Sequence, residues 1–205
     1  MKLETSNEQL ILEAAEEEFL SKGYNGAKTT SIAKKAGVTH AMLHYYYRTK
    51  ENLFQMVFQE KLRIIGSSFE IILDENLPFE MMLRSFIEKH FDFITKNSTL
   101  VSFVYNEVRG NKENGVLLQN LLFSKINHIS GLFEKKIEKE VANGTIKPIK
   151  PMELFMDIVT LNLSVSLFFS VTGMLNLIQN PSEKEKLLRQ RKEQNVEYIL
   201  NTLRI

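Results

Sequence analysis

Cysteine and tryptophan are absent from this chain, and its 205 residues include only four prolines and nine glycines. The lack of cysteine excludes disulfides, thiolate catalysis and cysteine-ligated metal, and it suits a reducing cytoplasm, the expected localisation. So few breakers leave long segments uninterrupted. That favours helices, and no strand pattern, internal repeat or low-complexity tract appears. There is no glycine-rich phosphate loop and no histidine–carboxylate cluster at recognisable spacing, so neither catalysis nor a bound cofactor is expected. The N-terminal MKLETSNEQL has no apolar signal segment, so export is not expected either. Acidic residues are missing entirely between Glu18 and Glu51.

That acid-free span holds Lys22, Lys28, Lys34, Lys35, Arg48 and Lys50, with His40 and His44. The whole chain carries only +1, so the positive field is local. Cations interleaved with hydroxyls and aromatics are the electrostatic footprint of phosphate contact. Within the span, Thr29 to Lys50 reads TTSIAKKAGVTHAMLHYYYRTK and predicts two short helices joined by a tight turn. Thr29 suits the N-cap of the first helix. Ile32, Ala33 and Ala36 form its apolar stripe, and Gly37 stands where the chain must turn left-handed. Val38 plugs the corner, and Thr39 caps the second helix. Leu43 and Tyr47, four apart, face the core, leaving Ala41, Met42, His44 and Tyr45 on the other side. The pattern is a helix-turn-helix over about 28–47, whose second helix enters a DNA major groove. His40 and His44 have a spacing that can chelate a metal, but no cysteine or intervening acid completes a site, and no metal is expected.

These residues also carry a resemblance. Ile11, Ala14, Ala15, Phe19, Gly23 and Tyr24, then Thr29, Ile32-Ala33, Ala36-Gly37-Val38, Leu43, Tyr47 and Lys50-Glu51-Asn52-Leu53, resemble in register the N-terminal signature of TetR-family transcriptional regulators. The likeness covers roughly the first sixty residues; the rest resembles the family only in length and helical character. Two positions depart from it, Ala41 where the family usually has glycine and His44 where it usually has tyrosine. The resemblance implies a homodimer on a pseudo-palindromic double-stranded operator, most often as a repressor. By position it implies His40, Ala41 and Met42 as base-edge readers. Lys28, Thr29, Thr30 and Thr39, then His44, Tyr45, Tyr46 and Lys50, become phosphate contacts. Ala41 and Met42 offer only apolar contact, which leaves His40 as the strong hydrogen-bonding reader.

The expected architecture is all-α with about nine helices: a DNA-binding domain over 1–49 and a helical ligand-binding and dimerisation domain over 50–205. Helix one starts at Thr5 or Ser6 and ends at Gly23, with Glu13, Glu16, Glu17 and Glu18 in solvent. Thr49 caps a fourth helix that ends between Gly66 and Leu73; the resemblance makes its tilt the setting for recognition-helix spacing. Asp74 to Leu77 is a loop. Later helices are expected from Pro78 to Asn97, Ser98 to Arg109, Val116 to Ala142 and Pro151 to Gln179, and from Ser182 with Glu185 as a capping box. Gly110 to Gly115 reads as a turn-rich connector.

Ile158 to Ile178 carries no ionisable side chain and is long enough to cross a bilayer. Asn162, Ser164, Ser166, Ser170, Thr172, Gly173 and Asn176 make it too polar for lipid, and no basic flank frames it, so no membrane partner is expected. A helix apolar nearly all round is otherwise buried on several sides, here by the protein core and a second subunit. The resemblance places the dimer interface on the last two long helices, and Ser166, Ser170, Gly173, Val196 and Leu200 are its candidates. The abundance of phenylalanine and methionine elsewhere suggests an apolar cavity for a small apolar ligand. Phe86, His90, Phe103, Asn106, Phe123 and Asn162 are the candidates to line it, with Glu107, Arg109, His128 and Asp157 as further polar groups.

Overall fold

The structure is a computed structural model that describes residues 6–72 and 76–205; of residues 70–72 and 128 it describes the backbone alone. Thr5, Leu73 and the loop start at Asp74 therefore lie outside the described residues, as does the His128 side chain. Ten helices occur among the described residues: α1 (Asn7–Gly26), α2 (Thr29–Ala36), α3 (His40–Tyr47), α4 (Lys50–Ile72), α5 (Phe79–Lys96), α6 (Ser98–Gly110), α7 (Lys112–Ala142), α8 (Pro151–Thr172), α9 (Met174–Leu177) and α10 (Pro181–Leu203). The fold is all-α, with no strand among the described residues beyond one isolated bridge between Ile146 and Arg204.

The chain divides into two compact units: residues up to Ile64 with Ser102–Leu118, and Ile65–Val101 with Gln119–Ile205. The break inside α4 falls at Ile64, where the sequence suggests Lys50. Its reason is packing, because Leu53, Phe54, Val57, Phe58 and Leu62 are all buried in the first unit. Phe54 sits edge-on to Phe19 at 5.2 Å and to Phe103 at 6.1 Å. The head is thus a core of Ile11, Ala15, Phe19, Ile32, Leu43 and Leu53 around which α1, α2 and α3 close.

Caps explain most helix ends. Ser6 accepts the Gln9 N–H, and Gly23, at φ 67° and ψ 178°, breaks α1 before one further turn. Thr49 caps α4 by accepting the Asn52 N–H at 3.1 Å. Three expected ends move. The side chain of Asn111 accepts the Glu113 N–H at 2.8 Å, so α7 starts at Lys112 and the turn-rich connector shrinks to a single residue. Gly173, at φ 65°, ends α8 at Thr172, well short of Gln179. Asn180, not Ser182, caps the last helix, accepting the Ser182 N–H at 3.0 Å with Pro181 in the first turn.

The second unit packs α5, α8 and α10 together over Leu83, Phe86, Phe133, Phe155, Ile158 and Val196. Two ion pairs tie α5 to α10, Arg84–Glu197 at 2.8 Å and Lys192–Asp92 at 3.0 Å. Between them lies a buried polar chain. Asn162 donates to the Ile87 carbonyl at 3.0 Å and to His90 Nδ1 at 3.1 Å, and accepts from Asn195 at 2.9 Å.

Candidate nucleic-acid interface

The reading helix stands on a carboxylate. Glu18, expected in solvent, is 5% exposed and points from α1 under the start of α2. It accepts from Lys22 Nζ at 2.7 Å, from the Ser31 hydroxyl at 3.2 Å and from the Lys28 N–H at 3.4 Å. The Lys22 bond, helped by Lys28 N–H and Ser31, holds its pKa below the ordinary carboxylate value against the opposing effect of burial. That bond at Lys28 also explains why Thr29 is no N-cap. Lys28 occupies the cap position without a side-chain bond, its backbone N–H being served from α1, and Thr29 is already helical.

The turn follows the expected chemistry. Gly37 is left-handed at φ 70° and ψ 23°, and its N–H and that of Val38 return to the end of α2. Thr39 Oγ1 accepts the Met42 N–H at 3.2 Å and starts α3. Leu43 and Tyr47 are buried, and the Tyr47 hydroxyl donates to the Glu8 carbonyl at 3.0 Å. Burial first, then the Glu8 charge, push its pKa up to about 12. Opposite them, His40, Ala41, Met42, His44, Tyr45 and Tyr46 are exposed, Tyr45 by 80%.

The two imidazoles of α3 touch, edge to face, with ring centroids 4.4 Å apart. His40 Nε2 lies 2.9 Å from Thr29 Oγ1, and His44 Nδ1 lies 2.8 Å from the Arg48 carbonyl, which can only accept, so Nδ1 carries the proton. Arg48, at φ 60°, is the one non-glycine with positive φ among the described residues. At the start of α4, Lys50 Nζ sits 4.6 Å from the Tyr24 ring centroid, and the Glu51 carboxylate beside the Tyr24 hydroxyl raises that group's pKa. The backbone before it is anchored from α6, where Glu107 Oε1 accepts the Tyr24 N–H at 2.8 Å. Of the cations in the acid-free span, Lys22 pairs with Glu18 and Lys35 with Glu17. Lys28 and Lys34 are exposed and make no ion pair among the described residues.

Residues 11–57, which span α1 to the first part of α4, match the family model described as bacterial regulatory proteins, tetR family. Over that segment the chain carries the DNA-binding region of the TetR family. It is a DNA-binding transcriptional regulator. It is 28% identical over 162 residues to the HTH-type transcriptional regulator YhgD of Bacillus subtilis (strain 168), covering 78% of this chain and 82% of that one. It is 26% identical over 136 residues to the fatty acid metabolism regulator protein of the same organism, covering 65% and 70%. The structure of a transcriptional regulator FadR from Bacillus subtilis in complex with stearoyl-CoA shares the fold, with a TM-score of 0.67, 20% identity and coverage of 94% and 97%.

The ligand candidates separate. Phe86, His90 and Asn162 meet in the core of the second unit, with the His90 ring stacked between Phe69 at 5.7 Å and Phe86 at 6.1 Å. Phe103 is buried in the first unit against Phe54 and Phe58 instead. Asn106 is exposed, and Phe123 is 66% exposed because it lies on the outer side of α7. These three do not join the His90 cluster. Asn195 completes that cluster from α10, and its only signal in the sequence is an asparagine directly before Val196 and one turn from Ile199 on the apolar face.

The dimer candidates divide the same way. Val196 and Leu200 are 0% and 4% exposed, packed into their own unit's core, and Ser166 is buried beside Asn162 on α8, so these three are no part of the chain's surface. Ser170 is exposed and Gly173 half-buried. The exposed apolar residues of the same helices include Phe168 and Val171 towards the end of α8 and Leu187 on α10, with Met152, Met156 and Tyr198 elsewhere on them. Phe168, Phe169, Val165 and Leu187, with Gln190, Arg191 and Gln194, line a groove of about 540 Å³.

Proposed function

We infer that this regulator is a homodimeric repressor that leaves a pseudo-palindromic operator when a small apolar ligand binds. The observation that carries the DNA half is the outer face of α3, exposed from His40 to Tyr46 on a head whose inner face is closed. His40, Ala41 and Met42 take the base edges, and Lys28, Thr30, Tyr45, Tyr46 and Lys50 take phosphates. Thr39, whose hydroxyl oxygen is occupied by the Met42 N–H, keeps its own O–H for a phosphate. His44, whose Nδ1–H is spent on the Arg48 carbonyl, can join them only as the imidazolium, with a second proton on Nε2. Two-fold symmetry makes two such heads read half-sites one helical turn apart, about 34–36 Å.

A second copy is the occupant that fits α8. This helix is apolar enough to cross a bilayer, at a mean hydropathy of 1.8, and only 33% of that stretch is buried. Its inner face, however, is hydrogen-bonded through Asn162 to α5 and α10, and both of those carry charged outer faces. Covering Phe168, Val171 and Leu187 with the same helices of a partner removes apolar surface from water without placing α5 and α10 in lipid.

For the ligand, the name of one similar protein specifies fatty acid metabolism and that of one similar structure a stearoyl-CoA complex, and a long-chain acyl group is the ligand we propose here. The test is to select operator DNA from a random pool and then titrate stearoyl-CoA, with free coenzyme A as control. Release by the acyl form alone supports the reading, and operator binding indifferent to both overturns it. One observation favours a ligand-independent DNA-binding protein instead. His90, Asn162 and Asn195 satisfy one another, so a ligand entering among them must break a buried hydrogen bond. The same titration decides between the two.

A further inference from the structure

We propose that Thr29 is a specificity-determining residue that acts through His40, and not a phosphate contact in its own right. This rests on the assignment of His40 as a base reader. Thr29 opens α2 and His40 opens α3, eleven residues apart in sequence, yet their side chains lie 2.9 Å apart across the turn. The bond takes His40 Nε2, which leaves Nδ1 as the ring nitrogen available to a base edge. The ring's other side is fixed too, because it meets the His44 ring at 4.4 Å and 86°, and His44 is itself held by the Arg48 carbonyl. A lone imidazole on an exposed helix would flip between two faces and present either nitrogen. Here Thr29 at one end and Arg48 at the other select one presentation before DNA arrives.

The choice has chemical content. A neutral imidazole has one donor and one acceptor nitrogen. With Nε2–H donating to Thr29 Oγ1, Nδ1 can only accept, and it reads the exocyclic amines of adenine or cytosine. With the Thr29 hydroxyl donating instead, Nδ1–H reads guanine O6 or N7, or thymine O4. Either way the hydroxyl of Thr29 determines what His40 discriminates, without touching a base. Since Ala41 and Met42 have no hydrogen bond to offer, that one ring carries the polar readout of α3.

The experiment uses full-length protein and compares Thr29→Val, Thr29→Ser, His40→Ala and the Thr29→Val/His40→Ala double variant on the operator and on single-base-pair variants of it. Valine keeps the β-branched shape and removes the hydroxyl. We expect Thr29→Val to lose discrimination by about tenfold at the same base pair as His40→Ala. The double variant should be no worse than His40→Ala alone, Thr29→Ser should restore the wild-type preference, and the salt dependence should not change. Nitrogen NMR of the free protein should show the His40 tautomer balance shifting in Thr29→Val, a signal that a phosphate contact would not produce. Equal weakening on every sequence, additive with His40→Ala, would overturn the inference and return Thr29 to the phosphates. A sensitive His40→Ala beside an indifferent Thr29→Val would overturn this inference alone. An indifferent His40→Ala would overturn both it and the base-reader assignment.

Discussion

Acidification should loosen the second unit through one imidazole. His90 is 2% exposed, stacked between Phe69 and Phe86, and burial lowers its pKa from 6.5 to about 4. Neutral His90 accepts a hydrogen bond at Nδ1 from Asn162; protonation removes that lone pair and charges a ring with no charged neighbour among the causes of its shift. The depressed value means that the unfolded chain takes the proton first. Stability is therefore complete above about pH 6.5 and drains away as pH falls towards 4. The shift from 6.5 to about 4 is worth about 3 kcal/mol in full, and roughly 2 kcal/mol of that is lost by pH 5.

Urea denaturation of wild type and His90→Asn at one protein concentration, from pH 8 to pH 5, isolates this contribution. Asparagine keeps an acceptor near the position of Nδ1 but cannot titrate, so its curve starts lower, because of the cavity, and then stays flatter. The two stabilities should converge by roughly 2 kcal/mol at pH 5. Proton NMR gives a direct check, since the resonance missing from His90→Asn should not titrate above pH 5 in the wild type. Parallel stability curves, or a His90 resonance with a midpoint near 6.5, would refute the reasoning.

Glu18→Ala should cost about 1–3 kcal/mol and weaken operator binding, because it removes the buried carboxylate that accepts the Lys28 N–H and the Ser31 hydroxyl at the start of α2; thermal denaturation and a gel shift check both. Val171→Asp changes a side chain that is 84% exposed, so the fold should survive while the dimer dissociates. Sedimentation should then find folded monomers with poor operator affinity, and a variant that stayed dimeric would place the interface elsewhere. Lys28→Ala should reduce the salt slope of operator binding by about one per subunit, whereas Lys35→Ala, which removes a cation already paired with Glu17, should reduce it less.

The head was legible because its signals are local. Gly37 must be left-handed, Thr39 and Thr49 must cap, and Leu43 and Tyr47 lie one turn apart, and each of these holds without knowledge of anything distant in sequence. Glu18 was not legible, since beside Glu16 and Glu17 on α1 nothing local marks it as the one that turns inward. Its role comes from Lys28 and Ser31, ten and thirteen residues further on. The second unit shows the same limit. His90 and Asn162 stand out in sequence as polar groups in apolar surroundings, and they do form a cluster, but polarity says nothing of whether the partner is a ligand or Asn195. Val196 and Leu200 read equally well as core or interface, because an apolar stripe serves both; only the packing of α5 against α10 decides. Helix ends moved where an asparagine cap, Asn111 or Asn180, outcompeted the serine or glycine nearby.

Charge and chemistry divide the head's work between affinity and selectivity. The acids of α1 reach into the acid-free span and neutralise Lys22 and Lys35, so those cations serve the fold, and Lys50 is partly committed to the Tyr24 ring. Lys28, Lys34 and Arg48 remain to draw phosphate, and their pull is the same for every sequence. Selectivity then falls on a face whose central pair, Ala41 and Met42, can at best meet a thymine methyl. A reader with so few hydrogen bonds gains most from having the one strong polar group preset, since each orientation excluded beforehand is one that a wrong base cannot exploit. The bonds from Thr29 to His40 and from His44 to Arg48 do this in the free protein. On the proposed reading, what remains of operator preference comes from DNA shape at positions the helix does not touch.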